Sequence, residues 1–566
     1  MQPVSLFLIL SVLAAFLGCE SQQDAKIPRY PKTVFKDMTA QAGLDFIHDP
    51  AVDGSYYVPE SIGSGGAFLD YDNDGDLDIY LLNGAHRGRK SNNSPILTNK
   101  LYRQEADGTF TDVTAASGLG HPGYGMGVAV GDLNNDGYID IYISNVGPDA
   151  CFLNNGNGTF SDVTRTSGIH NPNWGSSTVF FDYDLDGYLD IFVANYLDFD
   201  VNAICADRGG SPDYCGPGGF NGVADILYRN NGDGSFSDVS SESGISSQSS
   251  KGLGAISADL NADGLPDLYV ANDGEANHLW INEGDGTFTD KAVLLGAATN
   301  EFAQPEASMG IAPGDIDNDQ DLDFFITHLR TESNTLYHNL GAAGFQDQST
   351  VSGVAAPSVP YTGFGTGFFD YDNDGDLDLA LVNGRVTRGP LLKQTGRAAY
   401  WDHYSEPNML FENNDDGVFT NISNGEPDFC GQIENGRGLA FGDVDNDGDI
   451  DLLVMNGGGP ARLLHNKSAD KGNWITIRAL NPKLQRDAIG AKISITHGNN
   501  MLQRLVAPGY SFLSSNDMRV HFGLGASKNI DNIEVLWPDG AVEVFAGTTA
   551  NQFLTLRKGE GISQGK

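Results

Sequence analysis

The sequence predicts an all-β protein, a seven-bladed β-propeller followed by a small C-terminal β-sandwich or barrel, on three observations. A Gly/Ala-rich apolar run, an Asp cluster and an alternating apolar run recur in that order seven times, from GGAFLDYDNDGDLDIYLLN at Gly65 to GLAFGDVDNDGDIDLLVMN at Gly438. The first Asp of each copy stands at 70, 132, 182, 259, 315, 370 and 443, a mean period of about 62 residues, which suits four short strands and their connections. Between copies lies a second repeated unit of the type LYRNNGDGSFSDVS, at Leu227, which reads as a third strand, a tight turn and an outer strand.

Composition agrees with that class. The 72 glycines and 40% hydrophobic residues fit many short strands joined by tight turns, not an acidic disordered chain. The formal charge of −42 argues against nucleic acid as a partner, because a phosphate backbone would be repelled over most of the surface. Cations are the natural counter-charge.

Residues 1–18 are predicted to be an export signal: the apolar run VSLFLILSVLAAFL is too short to span a bilayer. The stretch Phe16-Leu17-Gly18-Cys19 resembles a lipobox, which implies acylation of Cys19 and a tether over 19–32. The alternative is an ordinary cleaved signal. The expectation is therefore an exported protein, at the outer membrane or cell surface as a lipoprotein or else secreted, touching a membrane only through an N-terminal lipid. Cys205 and Cys215 lie close together in a Gly/Pro-rich insert and could be bridged in an oxidising compartment, whereas Cys151 and Cys430 offer no readable pairing.

The propeller is assigned to 33–468. After the seventh Asp cluster the chain reads LLHNKSADKGNW, with no outer strand of the usual F-x-D-V form. Val34-Phe35-Lys36-Asp37-Met38-Thr39, ahead of the first cluster, has that form. It is expected to supply the missing strand and close the ring, which removes an exposed seam.

Each Asp cluster reads as a calcium loop. In the first, Asp70, Asp72, Asp74 and Asp78 hold positions 1, 3, 5 and 9, Gly75 holds position 6 and Asp76 offers its carbonyl at position 7. Alternate positions of a tight loop converge on one centre, and hard carboxylate oxygens suit a hard cation larger than magnesium. The same positions carry Asp132, Asn134, Asp136 and Asp140 in loop two, Asp182, Asp184, Asp186 and Asp190 in loop three, and Asp259, Asn261, Asp263 and Asp267 in loop four. Loop five has Asp315, Asp317, Asp319 and Asp323, loop six Asp370, Asp372, Asp374 and Asp378, and loop seven Asp443, Asp445, Asp447 and Asp451. An EF-hand is excluded, since position 12 is apolar throughout (Leu81, Ile143, Val193, Val270, Ile326, Leu381 and Val454) where a bidentate Glu is needed. Solvated turns without metal are the competing reading. So many carboxylates in nine residues repel one another unless a cation offsets them, so up to seven calcium ions are expected. Asn134 and Asn261 lower the ligand charge of loops two and four, and Gln320 stands where loop five needs Gly. Loops one, three, six and seven are expected to be the strongest.

These loops and their flanking strands resemble the FG-GAP or VCBS repeats of integrin α-chain propellers. Beyond them, Gly490-Ala491-Lys492, Gln503-Arg504, Gly509-Tyr510-Ser511, His521-Phe522-Gly523-Leu524-Gly525 and Trp537-Pro538-Asp539-Gly540 resemble the ASPIC/UnbV domain. That domain follows such propellers in the cartilage acidic protein family. The resemblance implies the fold, calcium and an extracytoplasmic setting more than any activity. The β domain is assigned to 469–558 and a tail to 559–566.

If each Asp loop joins the first and second strands, connections after the second strand emerge on the opposite face. Two are long, 196–226 and 384–408. Arg385, Arg388, Arg397, Tyr400, Trp401 and His403 in the latter could bind an anionic or glycan ligand, the alternative being solvated charges and an aromatic that pins the insert to the rim. No GxSxG, HExxH, P-loop or dinucleotide fingerprint occurs. The expected function is a calcium-binding extracytoplasmic binding or adhesion module for a protein or glycan. The alternative is an enzyme using the propeller face or central cleft on an extracellular, carbohydrate-type substrate.

Overall fold

The computed structural model describes residues 33–86, 96–207, 209–392, 400–414, 417–469 and 471–564. The export signal, Cys19, the tether and Arg397 lie outside them. Seven four-stranded antiparallel sheets follow one another along the chain. The first is built from Gly66–Leu69, Asp78–Leu81, Lys100–Gln104 and Phe110–Asp112. The seventh is built from Gly436–Gly442, Asp451–Asn456 and Arg462–Asn466, completed by Phe35–Asp37 from the N-terminal segment. Its outer strand pairs Phe35 with Asn466 and Asp37 with Leu464, the closure expected from the sequence. The Glu426 carboxylate accepts from Val34 N at 2.6 Å and Phe35 N at 3.1 Å and ties that strand to blade six.

The innermost strands touch in sequence order and the last meets the first, so the sheets form a ring. The Gly/Ala-rich runs are these inner strands, and sterics explain their composition. A Cβ on Gly254 or Gly310 would lie 2.1 Å from the carbonyl oxygen of Met309 or Phe364 in the next blade. Only glycine allows the backbones at the hub to come so close. The second strands, such as Asp140–Asn145 and Asp378–Asn383, are buried along their whole length and form the layers between hub and rim.

The C-terminal unit is a sandwich of two sheets around one apolar core that includes Ile475, Ile493, Phe522, Ile533 and Trp537. One sheet holds Asn473–Asn481, Arg486–Asp487, Val520–Gly525 and Gln552–Arg557, and the other holds Lys492–His497, Asn500–Leu505, Asn529–Leu536, Val542–Thr549 and Ile562–Gln564. The last strand corrects the expected tail. Residues 562–564 pair with 542–544 as an edge strand, because the polar ISQ backbone finds ladder partners there. No helix among the described residues is long and apolar enough to cross a membrane.

This domain sits on the Asp-loop face and sends residues 508–516 into the centre of the ring. Ser515 exchanges backbone hydrogen bonds with blade one, donating to Gly66 O and accepting from Phe68 N, both at 3.1 Å. Its hydroxyl donates to Val128 O of blade two at 2.9 Å. Leu513 N donates to Ser177 Oγ of blade three at 3.3 Å. Ser511 exchanges hydrogen bonds with Ile311 of blade five and accepts from Thr366 N of blade six, and Asn516 Oδ1 accepts from Phe441 N of blade seven. Phe512 is fully buried, its ring 5.1 Å from that of Phe364. The channel is filled, in large part by backbone paired to the inner strands of the ring.

Candidate metal centres

All seven Asp loops adopt one backbone. The residues at position 4 (Asn73, Asn135, Leu185, Ala262, Asn318, Asn373 and Asn446) have φ between 54° and 61°, and every position 6, Gln320 included, is also left-handed. Gln320 (φ 77°) and Leu185 (φ 57°) therefore carry strain that Gly or Asn would not. Gln320→Gly and Leu185→Asn should each raise stability by about 1 kcal/mol, read as a higher urea midpoint at unchanged slope.

The carboxylates have distinct duties. Position 9 is structural as well as a candidate ligand. Asp78 Oδ2 accepts from Tyr71 N at 3.1 Å and Oδ1 from Gln104 N at 2.8 Å, and Asp140, Asp190, Asp267, Asp378 and Asp451 repeat the pattern. In loop five, Asp323 does the same with Ile316 N and Asn339 N. Position 1 accepts from the amide at position 6, as Asp132 does from Gly137 at 2.7 Å and Asp370 from Gly375 at 2.8 Å. Positions 1, 3 and 9 converge: Asp70, Asp72 and Asp78, and likewise Asp182, Asp184 and Asp190, each bring one oxygen within 4.8 Å of the others. In loop five the converging carboxylates are those of positions 1, 3 and 5, Asp315, Asp317 and Asp319.

Two properties fit these loops to a cation. Buried oxygens with no hydrogen-bond donor remain on Asp72 (Oδ1), Asp182 (Oδ1), Asp315 (Oδ1) and Asp317 (Oδ1). Burial also pushes the carboxyls up, Asp70, Asp132 and Asp182 to about 6, Asp315, Asp372 and Asp443 to about 7 and Asp78 to about 8. Asp140, Asp190, Asp370, Asp378 and Asp451 are carried well above the ordinary range by the same cause. Such groups resist carrying charge unless a cation is supplied. Outside loops five and seven, where His338 and His465 join the clusters, the side-chain donors are all oxygen, which suits calcium.

Loop seven corrects one expectation. The Lys467 ammonium lies 3.0 Å from both Asp445 Oδ2 and Asp447 Oδ2, and His465 Nδ1 lies 3.1 Å from Asp445 Oδ2. Burial works to raise Asp445, but His465 and Lys467 outweigh it and hold the carboxyl low. This loop brings its own cation and does not rank among the strongest metal sites.

Sequence reasoning missed three features. The Asn that ends the third strand staples neighbouring blades: the side-chain amides of Asn154, Asn282 and Asn466 donate at 2.8 Å to the position 2 carbonyls of Tyr71, Tyr183 and Tyr371 one blade back. Gln104 does this for blade one, to Val444 O at 3.0 Å. The recurrence of this Asn in LYRNN, FLNN and LWIN was the available signal. Asn at position 4 bridges loops in turn, as Asn73 does to Gly137 O at 2.8 Å and Asn373 to Asp449 Oδ1 at 2.9 Å.

The third feature is the cover over the loops. Five basic side chains of the C-terminal domain address all seven position 1 aspartates. The Arg478 charge acts on Asp70, Arg486 on Asp132 and Asp182, Arg504 on Asp315 and Asp370, and Arg519 on Asp443. Lys492 Nζ lies 3.4 Å from Asp259 Oδ2. Arg519 donates to Asn446 Oδ1 at 2.7 Å and Asp443 O at 2.9 Å, and His521 Nε2 lies 3.1 Å from Gly448 O. A Cβ on Gly523 would stand 1.9 Å from Asp370 Oδ2. The short motifs of the C-terminal domain singled out in the sequence are in large part its contact surface on the Asp loops.

The opposite face carries the two inserts, and Cys205 and Cys215 are joined there as a disulfide, while Cys151 and Cys430 are buried and free. The proposed ligand residues divide. Arg385 is 4% exposed, donates to Glu406 Oε1 at 2.9 Å and to Pro390 O at 2.8 Å, and is a buried structural ion, not a ligand-facing cation. Trp401 is buried against Gly458, and His403 Nδ1 pairs with Gly389 O at 3.0 Å. Arg388 and Tyr400 are half-buried in a cluster with Tyr56, Tyr214 and Tyr404. Arg388 donates to Tyr56 Oη at 2.6 Å and Tyr400 to Tyr214 Oη at 2.8 Å.

Comparison with known proteins agrees with this layout. The FG-GAP-like repeat family matches residues 70–143, 132–193, 210–270, 259–326, 315–381 and 398–454, and the ASPIC and UnbV family matches 481–563. Each repeat match ends at position 12 of an Asp loop. Cartilage acidic protein 1 of Xenopus tropicalis is 25% identical over 321 residues, covering 54% of this chain and 44% of that protein. Its Mus musculus counterpart is 26% identical over 310 residues, with the same coverage. The chain thus spans under half the length of these relatives. An Agrocybe aegerita lectin that recognises non-reducing terminal N-acetylglucosamine overlays with a TM-score of 0.37 at 16% identity, covering 72% of this chain and 95% of that one, too loosely to argue from.

Proposed function

The chain belongs to the FG-GAP-like repeat family and carries an ASPIC and UnbV domain, and on that premise we propose that it is a calcium-stiffened extracytoplasmic binding module. The observation that carries the calcium reading is the pair of buried carboxylate oxygens without donors in loops one and three, Asp72 Oδ1 and Asp182 Oδ1. FG-GAP repeats commonly bind calcium, which supports the choice of ion. The disulfide supports an oxidising, exported setting, with the lipid anchor at Cys19 as the form of attachment.

The partner surface is the face opposite the Asp loops. The Asp-loop face is covered by the C-terminal domain and the channel is filled, which leaves the inserts and their tyrosine cluster for an extracellular protein or glycan. Tyrosines around one arginine offer ring faces and a cation, the chemistry that holds sugars and acidic peptides. The test is binding of the mature chain to a glycan array and to extracellular matrix proteins, repeated with Arg388→Ala, with Tyr400→Ala and in chelator. A ligand whose binding needs calcium and both side chains is expected. A ligand held equally well by both variants and in chelator would overturn the assignment of this face.

A further inference from the structure

The residue before the third-strand Asn or Gln differs from blade to blade, Arg103, Leu153, Arg229, Ile281, His338, Glu412 and His465, and where it is charged or an imidazole it acts on position 3 of the same Asp loop. In blades one and three the arginine charge opposes the burial that raises Asp72 and Asp184. Where position 3 is Asn134 or Asn261, the partner is apolar. Blades five and seven place an imidazole there, and loop five alone leaves it without a competing ammonium.

We propose that loop five binds a first-row transition ion of the zinc class, in place of calcium, through Asp317, Asp323 and His338. One ligand atom from each lies within 4.8 Å of the others. His338 Nδ1 is 3.0 Å from Asp323 Oδ1, and Nε2 is 3.6 Å from Asp317 Oδ2. One ion takes only one of the two ring nitrogens, so the ring or the second carboxylate must turn to bring the three atoms, now within 4.8 Å of one another, to the roughly 3.0–3.5 Å that bonds of about 2.0–2.2 Å require. Independent of the triad, Asp315 is 2% exposed and its Oδ1 has no hydrogen-bond donor; within the triad, Asp317 Oδ1 is also buried and without a donor. Both residues share the loop-five cluster. Calcium takes oxygen ligands, whereas imidazole with carboxylates suits zinc-class ions.

Loop seven is the internal contrast. It has the same triad in Asp445, Asp451 and His465, but Lys467 lies 3.0 Å from Asp445 and Asp447, and the corresponding residue in blade five is Leu340. A zinc-class ion at loop five is independent of whether calcium fills the other loops.

The experiment uses the untagged mature chain, loaded with Co2+, dialysed against excess calcium and read by visible absorption and metal analysis. Wild type and His465→Gln should keep a single Co2+ equivalent with ligand-field bands, and His338→Gln should lose it. His338→Asp should also lose the cobalt while restoring an all-oxygen site that takes calcium, which separates loss of the nitrogen ligand from misfolding. Displacement of cobalt by calcium in the wild type, or its retention in His338→Gln, would overturn the proposal. Calcium bound at other loops with no cobalt kept would sink this proposal alone, and no metal of either kind would sink the calcium reading as well.

Discussion

Chelation should lower the unfolding midpoint of this protein further than any single substitution, and calcium, not magnesium, should restore it. Each site filled at a hundred times its Kd adds about 2.7 kcal/mol. Several such sites in one cooperative ring should move the midpoint by on the order of 10 °C or more.

The pH dependence carries the sign of the effect. In the calcium-free protein, burial raises Asp70, Asp132 and Asp182 to about 6 and Asp78 to about 8, from an ordinary value of 3.8. The folded chain therefore holds protons that the unfolded chain has already released, so stability falls as pH rises through that window. The chelated protein should melt higher at about pH 5 than at about pH 8, and the gap between chelated and calcium-saturated protein should widen over the same range, as expected of a cation whose carboxylate ligands must first lose their protons. Scanning calorimetry at several pH values with and without calcium measures both. A midpoint indifferent to chelation at every pH would mean that the Asp loops are turns and nothing more.

Phe512→Ala should be the most damaging single truncation. The side chain enters the hub from the C-terminal domain, is fully buried and meets Phe364 at 5.1 Å. The inner strands around it pack glycine against carbonyl and cannot close on a void, so a loss of about 3–5 kcal/mol is expected, at the upper end for a large-to-small change. Phe553→Ala is the comparison. That ring is 40% exposed on the same domain, and its loss should cost about 1 kcal/mol or less. Urea unfolding of the two variants separates filling of the hub from general loss of apolar surface. Equal stability of Phe512→Ala and wild type would mean that residues 508–516 rest in the channel without holding it.

Much of this molecule is local and therefore legible in the chain. The Asp loops, the hairpins after them, the N-terminal strand that completes blade seven and the two-sheet C-terminal unit all rest on residues a few positions apart or on repetition of one pattern. Periodicity and turn chemistry report both directly. The left-handed position 6 was legible in the same way, since Gly stands there in six of the seven loops, whereas the equally left-handed position 4 was not.

Other features depend on neighbours distant in sequence. Arg385 has the look of a surface cation, and only the fold brings Glu406 to it in a buried pair. Loop seven has a full set of aspartates, yet Lys467, a strand away, already neutralises two of them. The seating of the C-terminal domain on the Asp-loop face was invisible because each of its basic residues answers a carboxylate more than a hundred positions earlier, or in another element altogether. Local composition and spacing determined which units form and which atoms could hold a cation. Long-range electrostatics and packing at the hub decided which of those atoms stay free, because charge acts through space and a repeat pattern records only what lies along the chain.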